Sequence, residues 1–137
     1  MDRALERYAP LIGRILLSVI FLFSAFGKAT HFSGMEQFMA SKGLPAVPLL
    51  LALALLTEAL GGLSLLLGFK AKWGALLLFL FLIPTTLIFH NFWALTGAMR
   101  QDMQIHFLKN LAIMGGLLMV AANGPGPFSL DKPAKGR

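Results

Sequence analysis

The sequence contains no cysteine. That excludes disulfides, thiol redox chemistry, iron–sulfur ligation and thiolate metal sites. Charge is also scarce: 13% of the 137 residues are Asp, Glu, Lys or Arg, whereas 57% are hydrophobic. A soluble domain of this length needs far more charged surface, so an aqueous globule is excluded too. Acidic residues number six against twelve Lys and Arg, a net charge of +6. The basic residues are scattered between apolar runs and build no single basic face, which speaks against nucleic acid as a partner. No nucleophile elbow, phosphate loop or dinucleotide fingerprint occurs. Gly61-Gly62 and Gly115-Gly116 read as packing glycines.

What the chain does have is four long apolar runs, at about 11–28, 47–69, 73–92 and 105–122. A bilayer-spanning helix takes about 20 apolar residues. Backbone groups in lipid must be satisfied within the segment, so each run is expected to be helical. The fold class is therefore all-α: an integral membrane four-helix bundle forming one domain over 1–137. Arg3 and Arg7 precede the first run as they would in a signal peptide, but Arg14 lies inside it and three further spans follow. Between the first two runs, residues 38–45 suggest a short interfacial helix stopped by Gly43 and Pro45. Trp73 and Trp93 bracket the third run as an aromatic belt. Pro84 within it is expected to free a backbone carbonyl. Residues 93–104 read as a longer loop.

Lys and Arg counts set the orientation. Arg3, Arg7, Lys70, Lys72, Lys132, Lys135 and Arg137 fall on one side, and Lys28, Lys42 and Arg100 on the other. Both termini are therefore expected in the cytoplasm.

Glu58 is the most informative residue. It lies in the middle of the second run, where a carboxylate is costly in lipid and must face the protein interior with a partner. Spacings of three and four place Arg14, Ser18, Ala25 and Lys28 on one face of the first helix. They do the same for Ala54, Thr57, Glu58, Gly61 and Ser64 on the second, Thr86 and His90 on the third, and His106, Lys109, Asn110 and Ile113 on the fourth. Lys109 and Arg14 each lie roughly 7–8 Å from the middle of their spans, at 1.5 Å per residue. Either can reach Glu58 as a structural ion pair, with Lys109 favoured. The expected ligand site is Lys28, Glu58, His90, Lys109 and Asn110, in the outer half of the bundle. His31, His90 and His106 match no metal-ligand spacing.

The chain resembles the DoxX family of small four-helix bacterial inner-membrane proteins. The resemblance rests on Gly13-Arg14, Gly27-Lys28, Glu58 followed by Gly61-Gly62 and Gly68, and His90. It continues through Phe107-Leu108-Lys109-Asn110-Leu111 to Gly115-Gly116 and the closing 124–131 segment. It implies a multi-pass protein of the inner membrane. Name-giving members are linked to thiosulfate:quinone oxidoreductase, and others to membrane redox complexes with partner proteins. Two readings follow. In one, the chain is a quinone-associated component of a redox complex, with quinone as ligand and a redox partner protein carrying the electron-transfer centre. In the other, it is a non-catalytic membrane assembly factor or small-solute-binding module. Glycine stripes of this kind are also compatible with a homodimer.

Overall fold

The computed structural model describes residues 2–132. Five α-helices and one short 3-10 turn make up the chain, with no strand among the described residues. They are α1 (Arg3–Thr30), α2 (Phe32–Ser41), α3 (Val47–Leu67), α4 (Ala71–Phe89) and α5 (Gly97–Asn123), with the 3-10 turn at Phe92–Ala94. Four of them, α1, α3, α4 and α5, are long and apolar enough to cross a membrane.

Hydropathy marks only the lipid-immersed part of a helix, and two helices run on beyond it. α1 starts at Arg3 rather than at 11, with the Asp2 side chain accepting a hydrogen bond from Ala4 N–H at 3.2 Å. α5 starts at Gly97, so most of the expected 93–104 loop is helix. Ala98, Met99, Arg100, Gln101 and Met103 are good helix formers and need no apolar setting to extend the span. The interfacial helix α2 also begins earlier than its stop signals suggested, at Phe32. α4 continues through Pro84, and Thr85 Oγ1 donates to the Phe81 carbonyl at 2.8 Å.

The four spans stand in sequential order: α1 packs along α3, α3 along α4 and α4 along α5, while α1 and α5 touch little. Two glycines in α3 allow its close approaches. A Cβ on Gly61 would strike Leu78 of α4, and one on Gly62 would lie 2.9 Å from Leu22 of α1. Such small-residue contacts replace the hydrophobic drive that lipid cannot supply. Phe21, Leu65, Ala75, Leu78, Leu82 and Leu117 form the main core. Leu16, Phe23, Phe26, Leu60 and Met119 are largely exposed. In water that surface would aggregate, whereas in a bilayer it faces acyl chains.

At the end of the bundle where the chain starts, a strap formed by residues 124–131 crosses the α3–α4 turn. Leu130 N–H donates to the Leu67 carbonyl at 3.1 Å and Asp131 N–H to the Gly68 carbonyl at 2.8 Å. Gly68 ends α3 in the left-handed conformation, and a Cβ there would collide with Ser129 and Arg14. α2 lies at the other end. Its Met39 is buried with Val47 and Leu51, and Phe38 stacks on Phe89 with centroids 5.7 Å apart.

Candidate functional site

Glu58 is buried, as its position demanded, but its partner is neither Lys109 nor Arg14. Lys28 Nζ lies 2.5 Å from Glu58 Oε1. The same ammonium donates to Ser24 Oγ at 2.7 Å. The ammonium is the one cation among the described residues that pairs with this carboxylate.

Side-chain direction explains the pairing. Helical side chains lean toward the N-terminus of their own helix. α1 and α3 run antiparallel. Lys28, near the C-terminal end of α1, therefore leans down into the bundle, and Glu58 on α3 leans up to meet it. Lys109 stands on α5, which does not pack against α3. Arg14 leans toward the terminal strap. Axial distance alone misses this, whereas helix direction, which alternates along the chain, contains the signal.

Lys109 is exposed. Neighbouring residues on a helix differ by about 100°, so Lys109 and Asn110 cannot both face inward. Packing selects Asn110, Ile113 and Leu117, at spacings of three and four; Leu117 is fully buried. Asn110 Nδ2 donates to Thr86 Oγ1 at 3.0 Å and ties α5 to α4. The Lys109 stem is long enough to carry its ammonium to headgroup level.

Lys28, Glu58, His90 and Asn110 line one cavity of about 490 Å³, together with Ser24 and Thr57. The remaining wall is almost entirely apolar, with Ile20, Phe21, Leu50, Leu53, Phe81 and Ile113 among its residues. Met35, Phe38 and Met39 of α2 close it at the membrane edge. His90 Nδ1 is buried with no hydrogen-bond partner among the described residues. The His90 ring stacks on the exposed His106 ring at 5.3 Å, an arrangement that places the two faces, not their nitrogens, together. α1 and α5 come close at Leu17 and Gly116, where a Cβ on the glycine would lie 3.2 Å from Leu17. Toward α2 from that point, Ile20, Ser24 and Lys28 of α1 and Asn110 and Ile113 of α5 line the cavity between the two helices.

Arg14 belongs to a different assembly. It is 1% exposed and donates to four carbonyls. Nη1 reaches Leu65 at 2.9 Å and Leu66 at 3.3 Å; Nη2 reaches Phe128 at 2.8 Å and Pro127 at 3.4 Å. Two of these belong to the last turn of α3, whose carbonyls lack helical partners and favour a cation. Asp131 has a matching role. Its carboxylate accepts from Lys70 N–H at 2.6 Å and Ala71 N–H at 2.9 Å, capping α4 from 60 residues away. Neither role was apparent from the sequence. The absence of a Ser, Thr, Asp or Asn cap just before α4 was the available hint.

Comparison with known proteins agrees with this architecture. The DoxX family description matches residues 9–91. Inner membrane protein YqjF of Escherichia coli (strain K12) is 35% identical over 130 residues, covering 95% of each chain. Inner membrane protein YphA of the same strain is 36% identical over 122 residues, covering 89% of this chain and 87% of the other. The ER-derived vesicles protein ERV29 of Saccharomyces cerevisiae is 25% identical over 134 residues, covering 98% of this chain and 36% of the yeast protein. No solved structure matches the chain.

Proposed function

The chain belongs to the DoxX family of multi-pass inner-membrane proteins, and on that footing we propose that its cavity binds an amphiphile with a polar head and an apolar tail, of which a quinone is the first candidate. The carrying observation is the cavity itself. Its volume of about 490 Å³ falls in the range of small-molecule sites. Its few polar groups, among them Lys28, Glu58, His90 and Asn110, stand in a wall that is otherwise apolar.

The residues suit a quinone head. Lys28 and Asn110 carry donors beside the cavity, and His90 Nδ1 has an unused position. The apolar wall suits an isoprenoid tail. α1 and α5 touch little and both line the cavity, which suits lateral entry from the bilayer. A bound quinone would supply two-electron, two-proton chemistry. The chain's own part is to hold the head group and to offer Glu58 as a proton acceptor. In this reading a redox partner protein carries the electron-transfer centre, and a homodimer is compatible with the same arrangement.

Melting curves in detergent with a short-tailed quinone analogue test the proposal. Ligand at a hundredfold excess over its dissociation constant stabilises by about 2.7 kcal/mol. Wild type and the exposed-site control Lys109→Ala are expected to shift alike, and His90→Ala and Asn110→Ala to shift less. No shift in wild type, or equal shifts in all four, would favour the second reading of a non-catalytic module. That reading draws support from Arg14 and Asp131, whose hydrogen bonds all go to holding the fold.

We also propose that both termini lie in the cytoplasm. The end with the strap carries Arg3, Arg7, Lys70, Lys72 and Lys132, against Lys28, Lys42 and Arg100 at the other. Lys135 and Arg137, which were counted with the strap end, lie outside the described residues. Reporter fusions after Lys72 are expected to read cytoplasmic, and fusions near Lys42 external. The opposite pattern would reverse the orientation and leave the cavity assignment untouched.

A further inference from the structure

A second concavity, of about 1110 Å³, lies at the opposite end of the bundle from the quinone-type cavity. It is formed between the start of α4 and the terminal strap. Lys70, Lys72 and Lys132 line it, with Trp73, Phe128 and the backbone of residues 123–127. We propose that this groove binds the phosphate headgroup of an anionic membrane lipid.

The charge balance is the first argument. Asp131 is the acidic residue in the lining, and both its oxygens are engaged by Lys70 N–H and Ala71 N–H. Three ammonium groups stand against one carboxylate in the lining, so the groove carries a net positive charge that suits an anion. Arg7 adds a fourth cation behind the groove, its guanidinium 5.1 Å from the Phe128 ring centroid.

Position is the second argument. Trp73 is 72% exposed and Phe69 is 52% exposed, and both sit where α3 and α4 leave the apolar part of the span. Aromatic side chains of this kind settle at headgroup level. A groove there meets lipid headgroups before it meets solutes in bulk water. Basic pockets between spans at this level take anionic headgroups.

Rigidity is the third. The strap does not hang free: Arg14 grips the Pro127 and Phe128 carbonyls, and Phe128 stacks on Tyr8 at 5.6 Å. A Cβ on Gly124 would approach Lys72 Cε to 3.3 Å, so that glycine lets the lysine stem lie along the strap. Lysines from sites about 60 residues apart are thus brought to one groove by bonds that exist without lipid.

The test uses the full chain in neutral detergent, titrated with phosphatidylglycerol, phosphatidylcholine or inorganic phosphate, with binding read by native mass spectrometry and by melting temperature. Phosphatidylglycerol is expected to bind and raise the melting temperature, and phosphatidylcholine and inorganic phosphate to do neither. Lys72→Gln/Lys132→Gln is expected to weaken phosphatidylglycerol binding on the order of thirtyfold, at about 1 kcal/mol per lysine. Lys42→Gln, at the other end, is expected to bind as wild type does. A lipid-free melting temperature near that of wild type checks that the double variant is folded. Should it fall, Lys132→Gln alone, in the exposed strap, is expected to lose roughly fivefold. Equal binding of both lipids, undiminished binding by the lysine variants, or equal stabilisation by inorganic phosphate would overturn the proposal.

Discussion

Replacing Arg14 with methionine is expected to destabilise the detergent-solubilised protein and to free the terminal strap. The variant removes the side-chain donor from carbonyls at the end of α3 and in the strap. A buried acceptor left without a donor costs about 1–3 kcal/mol. The Leu65 carbonyl still accepts from Gly68 N–H at 3.3 Å, so the loss falls mainly on the Phe128 carbonyl and is about 1–3 kcal/mol. The effect has a local signature. The strap depends on Arg14 for its grip, so limited proteolysis should cut within residues 124–132 of the variant at protease levels that spare wild type. Arg14→Lys should recover only part of the loss. An ammonium is a point charge and cannot span two pairs of carbonyls as the guanidinium fork does. Wild-type protection of the strap in Arg14→Met would show that the clamp is incidental.

The second large effect belongs to the Lys28–Glu58 pair. Removing one partner of a buried pair costs about 3–5 kcal/mol, because the other charge is left in a poor medium. The two single variants should not be equal. Lys28→Met leaves a carboxylate in the middle of a span, and Glu58 has a short side chain that cannot escape. Glu58→Gln leaves an ammonium on a four-carbon stem near the membrane edge, which can snorkel outward. Lys28→Met is therefore expected to lower stability more than Glu58→Gln. The double variant should lose clearly less than the sum of the two. Lys109→Met combined with Glu58→Gln should be additive, since those side chains do not meet. Strong coupling of Glu58 to Lys109 with none to Lys28 would contradict the geometry described.

These two assemblies also show how far the sequence can be read. The spans, the burial of Glu58, its need for a cation and the grouping of Lys28, His90 and Asn110 with it all follow from periodicity and from the cost of charge in lipid. The choice of Lys28 over Lys109 does not follow from depth alone. It depends on α1, not α5, being the neighbour of α3, and on Asn110 rather than Lys109 taking the inward position on α5. The extra turns of α1 and α5 lie outside the hydrocarbon, where hydropathy carries no signal. The strap was visible only as a Gly-Pro-rich ending. Its function as a clamp comes from contacts between residues 14, 65–71 and 127–131, pairings that no local pattern encodes.

The proposed function rests on the cavity beside Lys28 and Glu58 holding a membrane amphiphile. A crystal structure of the protein purified with its native lipids tests it most directly. Elongated density is expected in the cavity, its polar end within hydrogen-bond reach of Lys28 or His90 Nδ1 and its tail running between α1 and α5. A cavity collapsed under α2, with Glu58 and Lys28 paired and no ligand density beside them, would contradict it.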